Sequence, residues 1–318
     1  MRVLVTGGAG FIGSHVCERL LERSEEVVIL DNLNDFYDPR IKARNLDRVR
    51  EKGPVEFYQR DLLDQEALAQ LFTRHRPEAV IHLAAYAGVR PSLQNPVLYN
   101  EVNVTGTLRL LELCRQFDVQ RLVFGSSSSV YGVNSKVPFS EEDPVQRPIS
   151  PYAVTKRAGE LLCFAHYYNY GMPITCLRFF TVYGPRGRPE MAIHKFTREI
   201  LAGHEIPVYD EGKSERDYTY VADIIQGIMA SLDRPDGFQI YNLGNSRTVP
   251  LLRLIELLER ALGRTARIRL MPAQPGDVPI TYADISKARR RLAYAPSTPI
   301  EEGITKFVEW YSREMVEG

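Results

Sequence analysis

Tyr152 and Lys156 stand four positions apart in a stretch whose pattern predicts a helix, so their side chains share one face. A phenol ordinarily titrates near ~10, too high for a base at neutral pH. Positive charge close by favours the phenolate and lowers that value. With an ammonium beside it, Tyr152 becomes a general base in one direction and a general acid in the other. Tyr-x-x-x-Lys alone is common on helices, and its surroundings add the weight. Ser150-Pro151 reads as a helix cap followed by proline in the first turn. The preceding strand ends in Gly125-Ser126-Ser127-Ser128-Ser129-Val130-Tyr131-Gly132, a row of hydroxyls. Ser127 is the candidate for a hydrogen bond to the reacting oxygen. The competing reading is a solvated serine turn.

The turn Gly7-Gly8-Ala9-Gly10-Phe11-Ile12-Gly13 is spaced G-x-x-G-x-x-G between a strand-like run and a helical pattern. Gly7 permits the tight turn, Gly10 lets backbone approach a pyrophosphate, and Gly13 lets helix and strand pack. The helix that opens at Phe11 and Ile12 offers unpaired N–H groups and the positive end of its dipole to an anion. Asp31 closes the next strand, eighteen positions after Gly13. A carboxylate there accepts hydrogen bonds from both adenosine ribose hydroxyls and repels a 2′-phosphate, so the predicted cofactor is NAD rather than NADP. A simple turn aspartate is the competing reading. Asn32 and Asn34 are expected to add contacts, and Asp61-Leu62 to lie by the adenine. Leu83-Ala84-Ala85 supplies small residues where cofactor passes close to backbone, and Lys156 is expected to hold the nicotinamide ribose.

These residues need a scaffold. Short continuous apolar runs at 3–5, 27–30, 55–58, 79–82, 121–124 and 174–177 read as strands buried on both faces of a parallel sheet. Helical patterns at 11–23, 64–74, 97–116 and 151–169 alternate with them. Regular β-α alternation predicts an α/β doubly wound parallel sheet with right-handed crossovers, a Rossmann arrangement. After about residue 180 the rhythm loosens. Helices are expected near 191–202, 221–232, 250–262 and 300–314. The expected division is a cofactor-binding unit over 1–180 and a smaller α/β substrate lobe over 181–318, with segments near 221–245 returning to the main sheet.

Lys+Arg and Asp+Glu each number 40 in 318 residues, so no global basic surface exists to recruit nucleic acid or an anionic membrane. No run approaches the ~18–20 apolar residues of a membrane span. The apolar start is broken by glycines and lacks a signal-peptide pattern. A soluble, cytoplasmic protein is expected, with its four cysteines as buried free thiols. The six scattered histidines form no cluster, so no catalytic metal is expected.

The chain resembles the extended short-chain dehydrogenase/reductase family of nucleotide-sugar epimerases and dehydratases along essentially its whole length. The resemblance rests on TGGAGFIG at 6–13, LDNLND at 30–35, HLAA at 82–85, SSSSVYG at 126–132, YAVTK at 152–156, LRFFTVYGP at 177–185 and RDYTYV at 216–221. Within the family it is most similar to the members that invert C4 of UDP-glucuronate, through NDFYDP at 34–39, AGVR at 87–90, TVYGPRGRP at 181–189 and GDVP at 276–279. The resemblance implies that hydride leaves C4 for tightly bound NAD while tyrosine takes the 4-hydroxyl proton. The 4-keto sugar then rotates, and hydride returns to its other face. Relatives acting on UDP-glucose or UDP-N-acetylglucosamine are the alternative, and UDP-glucuronate decarboxylases come third. Dehydratases and decarboxylases of the family carry acidic residues where Ser128 and Ser129 stand here. Hydroxyls donate to a sugar carboxylate that an acid would repel.

Arg188 is the candidate for that carboxylate, since guanidinium offers paired donors in one plane, and Arg186 is its rival. A surface arginine is the competing reading. The resemblance adds Arg90 to the substrate site, Thr181 near the sugar, and Arg216 and Asp277 near the UDP phosphates and ribose. Gln274 departs from the arginine common in galactose-type relatives. Val208-Tyr209 is placed near uracil, though a plain core strand explains it equally well. The resemblance also implies a homodimer, with the helices at 97–116 and 151–169 paired across a two-fold axis. A non-catalytic NAD-binding scaffold would be marked by loss of the tyrosine or lysine, and both are present.

Overall fold

The structure is a computed structural model and describes residues 1–134, 136–272 and 278–316. In chain order the first half runs β1 (Arg2–Thr6), α1 (Phe11–Glu22), β2 (Glu26–Leu30), α2 (Pro39–Lys52), β3 (Val55–Tyr58), α3 (Gln65–His75), β4 (Ala79–His82), α4 (Val89–Gln94), α5 (Pro96–Asn100), α6 (Thr107–Gln116), β5 (Arg121–Ser127), α7 (Pro151–Tyr170) and β6 (Ile174–Phe179). The second half adds β7 (Thr181–Tyr183), α8 (Ala192–Leu201), β8 (Glu205–Tyr209), β9 (Glu215–Arg216), β10 (Tyr218–Tyr220), α9 (Val221–Asp233), β11 (Phe238–Leu243), β12 (Val249–Pro250), α10 (Leu251–Leu262), β13 (Arg267–Met271), α11 (Ser286–Leu292) and α12 (Ile300–Tyr311).

Seven strands form one parallel sheet in the order β11-β6-β5-β4-β1-β2-β3. The chain is therefore an α/β Rossmann fold with helices on both faces. Alternation along each strand divides the core. Val3, Val5, Val27, Ile29 and Ile81 face the side covered by α1 and α9, while Leu4, Val28, Val80, Leu122 and Phe124 face the side of α3, α6 and α7. Both sets are buried, which explains why the strands read as continuous apolar runs. β11 lies at the sheet edge beside β6, in register from Phe238↔Ile174 to Leu243↔Phe179.

Several elements differ from expectation, α4 and α11 among them. The helix expected at 97–116 is α5, a π-helical segment Glu101–Gly106, and α6. The wider turn aims Asn103 inward, where it is buried and hydrogen-bonded to Tyr86 and Thr155. Helix α2 was not expected. Its fourteen residues, PRIKARNLDRVREK, carry so few apolar side chains that periodicity is faint, yet Ile41, Leu46 and Val49 are buried and Asp38 caps it. Among the described residues no helix is long and apolar enough to cross a membrane.

Candidate active site

The sheet register brings the ends of β1, β2, β4 and β5 to one edge, so Gly7, Asp31, Leu83 and Ser127 lie along one crevice. Gly7 sits at φ +73°, and a Cβ on it would lie 2.8 Å from Ala84 N. A Cβ on Gly13 would overlap the Gly7 carbonyl. The loop is thus packed to the limit of glycine, which keeps helix α1 aimed at the crevice. Gly10 precedes α1 with no side-chain cap, so the N–H groups after it, at Phe11 and Ile12, face outward for an anion.

Asp31 is buried and accepts from Ala9 N at 3.1 Å and Leu33 N at 2.9 Å. Burial pushes its pKa above the usual value, against the pull of those N–H groups and of Lys42. Asn32 donates to Asp61 Oδ2 at 2.7 Å, joining the ends of β2 and β3. Asn34 accepts from Phe36 N and from Lys42 Nζ, so its side chain is engaged within its own loop. Leu62 is buried against Gly106. Leu83, Ala84 and Ala85 are half-buried beside the glycine turn. The donor set, the uncapped helix start and the glycine turn fit a dinucleotide.

Ser150 caps α7 by accepting from Ala153 N at 3.2 Å, with Pro151 in the first turn. A Cβ at Gly159 would strike the Phe124 ring, so α7 lies close against β5. That approach sets Lys156 Nζ 2.7 Å from Gly125 O and brings the Tyr152 hydroxyl into hydrogen bonding with Ser127. Ser127 Oγ lies 3.0 Å from Ser129 Oγ and accepts from Ser129 N. Ser128 is half-buried, and Ser126 points away, donating to Glu160 at 2.7 Å.

Burial raises the Tyr152 phenol above its ordinary value, while the Ser127 hydrogen bond and the Arg188 charge oppose the rise. The expected lowering by Lys156 is not among these influences; its ammonium donates to the Gly125 carbonyl at 2.7 Å. Burial lowers Lys156 to about 8.

The loop after β7 supplies the other wall. Thr181, Gly184, Arg188, Met191, Arg216 and Tyr218 line a cavity of about 180 Å³. Arg188 pairs with Glu190 at 3.1 Å, and its field reaches Tyr152. Arg186 is turned the other way, onto Glu18 and His15 of α1. Arg216 donates to the carbonyls of Glu215 and Pro279. The Arg90 guanidinium lies 5.0 Å from the centre of the Tyr209 ring, linking α4 to β8. Val208 is fully buried in the core. Gln274 and Asp277 lie outside the described residues. Sequence reasoning missed Asn103, His15 and Glu18, which carry no local signal of their contacts.

The fold and crevice define a dinucleotide-binding Rossmann enzyme with a Tyr/Lys/Ser constellation. The chain belongs to the NAD dependent epimerase/dehydratase family, whose model matches residues 3–244. It is 44% identical to a UDP-glucuronate 4-epimerase of Thermodesulfobacterium geofontis, over 99% of this chain and 97% of that one. Among solved structures it resembles UDP-glucuronic acid 4-epimerase from Bacillus cereus in complex with UDP-glucuronic acid and NAD. There the TM-score is 0.92 at 34% identity, covering 98% of this chain and 99% of that one. A UDP-glucose 4-epimerase from Thermotoga maritima gives 0.91 at 35% identity, covering 98% and 99%.

Proposed function

We propose that this enzyme interconverts UDP-glucuronate and UDP-galacturonate by inversion at C4, through a 4-keto sugar. The observation that carries the proposal is the placing of one phenol, Tyr152, in hydrogen bonding with Ser127 and within the field of the Arg188 guanidinium, with the Ser129 hydroxyl bonded to Ser127. A carboxylated sugar finds donors on both sides there. Identity to UDP-glucuronate 4-epimerases along the whole chain supports it.

Bound NAD supplies the hydride acceptor and donor at C4. Tyr152, as phenolate, takes the 4-hydroxyl proton and later returns it to the 4-oxygen. Ser127 bonds that oxygen and the phenol together. Lys156 has one N–H on Gly125 O, and its remaining donors would be available to hold the cofactor ribose. The Ser127 hydrogen bond and the Arg188 charge, with that of the oxidised cofactor when bound, would offset the burial that opposes phenolate.

Gly7, Gly10, Phe11, Ile12 and Gly13 hold the pyrophosphate and Asp31 the adenosine ribose, with Asn32, Asn34, Asp61, Leu62, Leu83, Ala84 and Ala85 shaping the rest of the cofactor bed. Arg188 receives the sugar carboxylate beside Thr181. Arg90, Tyr209, Arg216 and Asp277 serve the UDP moiety, with Val208 supporting them from the core. In this reading residues 181–318 form the nucleotide-sugar lobe, with α9 and β11 joined to the main unit. Four buried free cysteines accord with a cytoplasmic setting. An apolar stripe on α7, of Val154, Leu161, Phe164 and Tyr168, beside exposed Leu108 of α6, is the surface of a homodimer.

Incubation with UDP-glucuronate and separation of products tests the proposal. UDP-galacturonate is the expected product. Mainly UDP-pentose, or no conversion, refutes it. The second reading, a neutral-sugar 4-epimerase, draws on the Arg188–Glu190 ion pair, which already occupies the guanidinium. A marked preference for UDP-glucose or UDP-N-acetylglucosamine would favour it.

A further inference from the structure

Arg188 sits in a loop, 184–191, without helix or strand, so its position must come from somewhere else. The loop turns on Gly184 at φ +141° and Arg186 at φ +65°, with Gly187 N on Gly184 O at 3.0 Å. A left-handed backbone crowds the arginine Cβ against the following carbonyl oxygen, so the turn needs outside support. The Arg186 side chain provides it. Its two terminal nitrogens meet Glu18 at 2.8 and 2.6 Å, and Nη2 also lies 2.7 Å from His15 Nδ1. A guanidinium only donates, so His15 Nδ1 accepts and the ring proton lies on Nε2. Nε2 then donates to the Pro185 carbonyl at 3.0 Å. Burial, seconded by Arg186, lowers His15 to about 3, which keeps the ring in this neutral form. Arg186 and Glu18 are only 11% and 15% exposed, so solvent competes little for the pair.

Two consecutive loop residues are thus tied to helix α1, one turn beyond its phosphate-facing start. We infer that His15, Glu18 and Arg186 are positioning residues: a clamp that sets Arg188 against the sugar carboxylate and so selects an acidic substrate. The clamp rests on the reading of Arg188 given above, and none of its three side chains needs to touch the sugar.

Glu18→Gln removes the charge and one paired bond with little change of shape. Arg186→Lys keeps the charge but cannot span both partners. For each variant, KM and kcat for UDP-glucuronate, the inhibition constant of UDP-glucose as a neutral competitor, and bound NAD are measured. The expected result is a rise of about tenfold in KM. The kcat should stay within about twofold, with the UDP-glucose constant and NAD content unmoved. In the Glu18→Gln/Arg188→Gln double variant KM should not exceed that of Arg188→Gln alone, since the clamp acts only through Arg188. Equal losses for both sugars, loss of NAD or full additivity overturn the clamp. An unchanged KM in both clamp variants, beside a raised KM in Arg188→Gln, overturns the clamp alone. An unchanged KM in Arg188→Gln overturns the carboxylate reading and the clamp with it.

Discussion

Arg178 meets Glu160 through two hydrogen bonds, of 2.8 and 2.9 Å, with both side chains sealed from solvent. Glu160 lies one helical turn beyond Lys156 and also receives Ser126 Oγ, while Arg178 donates to Tyr131, which donates to Asn242. Strands β5, β6 and β11 are thereby pinned to α7 beneath the reacting groups. Burial alone would raise the Glu160 pKa, but Arg178, with Ser126 and Arg157, outweighs it and holds the carboxylate below its usual range. Arg178→Met would leave that buried charge with Arg157, at 2.9 Å, and Ser126 alone. The variant should be less stable by about 3–5 kcal/mol in urea unfolding. A loss under about 1 kcal/mol would mean that solvent or another cation takes the place of the guanidinium.

Tyr152→Phe removes the acid-base group and leaves its surroundings in place. Turnover should fall by roughly 10²–10⁴-fold. NAD content, read from the absorbance of the denatured protein's supernatant, should match the parent. Near-normal turnover would assign proton transfer to another group.

His194 packs among Phe307, Trp310 and Tyr311, and its Nδ1 is buried without a hydrogen-bond partner. Burial lowers its pKa to about 4. The unfolded chain, with a value near ~6.5, therefore binds more protons than the folded one below that pH. Stability must fall as pH drops from 6.5 towards 4, by about 1.4 kcal/mol per unit for this one group. His194→Phe should flatten the decline in urea unfolding between pH 7.5 and 5. His15 and His82, each lowered to about 3 chiefly by burial, keep part of the slope in that variant. An unaltered slope would mean that this imidazole accepts its proton inside the fold.

Leu161 is 52% exposed in the middle of the α7 stripe and bears no site group. Leu161→Asp should place a charge in the proposed interface and shift sedimentation from dimer to monomer. A parent protein that sediments as a monomer would refute the interface outright.

Much of the scaffold was legible because local physics wrote it. The runs at 55–58 and 79–82 are the observed β3 and β4, and in β4, buried on both faces, no polar alternation is left. Ser150-Pro151 marked the start of α7, and the helical repeat put Tyr152 and Lys156 on one face before any fold was known. Helix α2 escaped because its burial depends on three apolar side chains among charges. Composition and spacing alone determined the Rossmann rhythm, the glycine turn and the phenol–ammonium pair. Tertiary structure alone decided which arginine faces the cavity. The sequence offered Arg188 with Arg186 as its rival; in the fold Arg186 turns onto Glu18, 168 residues away, and Arg188 is left to line the pocket. The same holds for Lys156, whose ammonium was drawn to Gly125 O by the close packing of α7 on β5. A periodic pattern reports which face of an element is buried; the partner that face meets depends on distant segments brought together only when the sheet closes its layers.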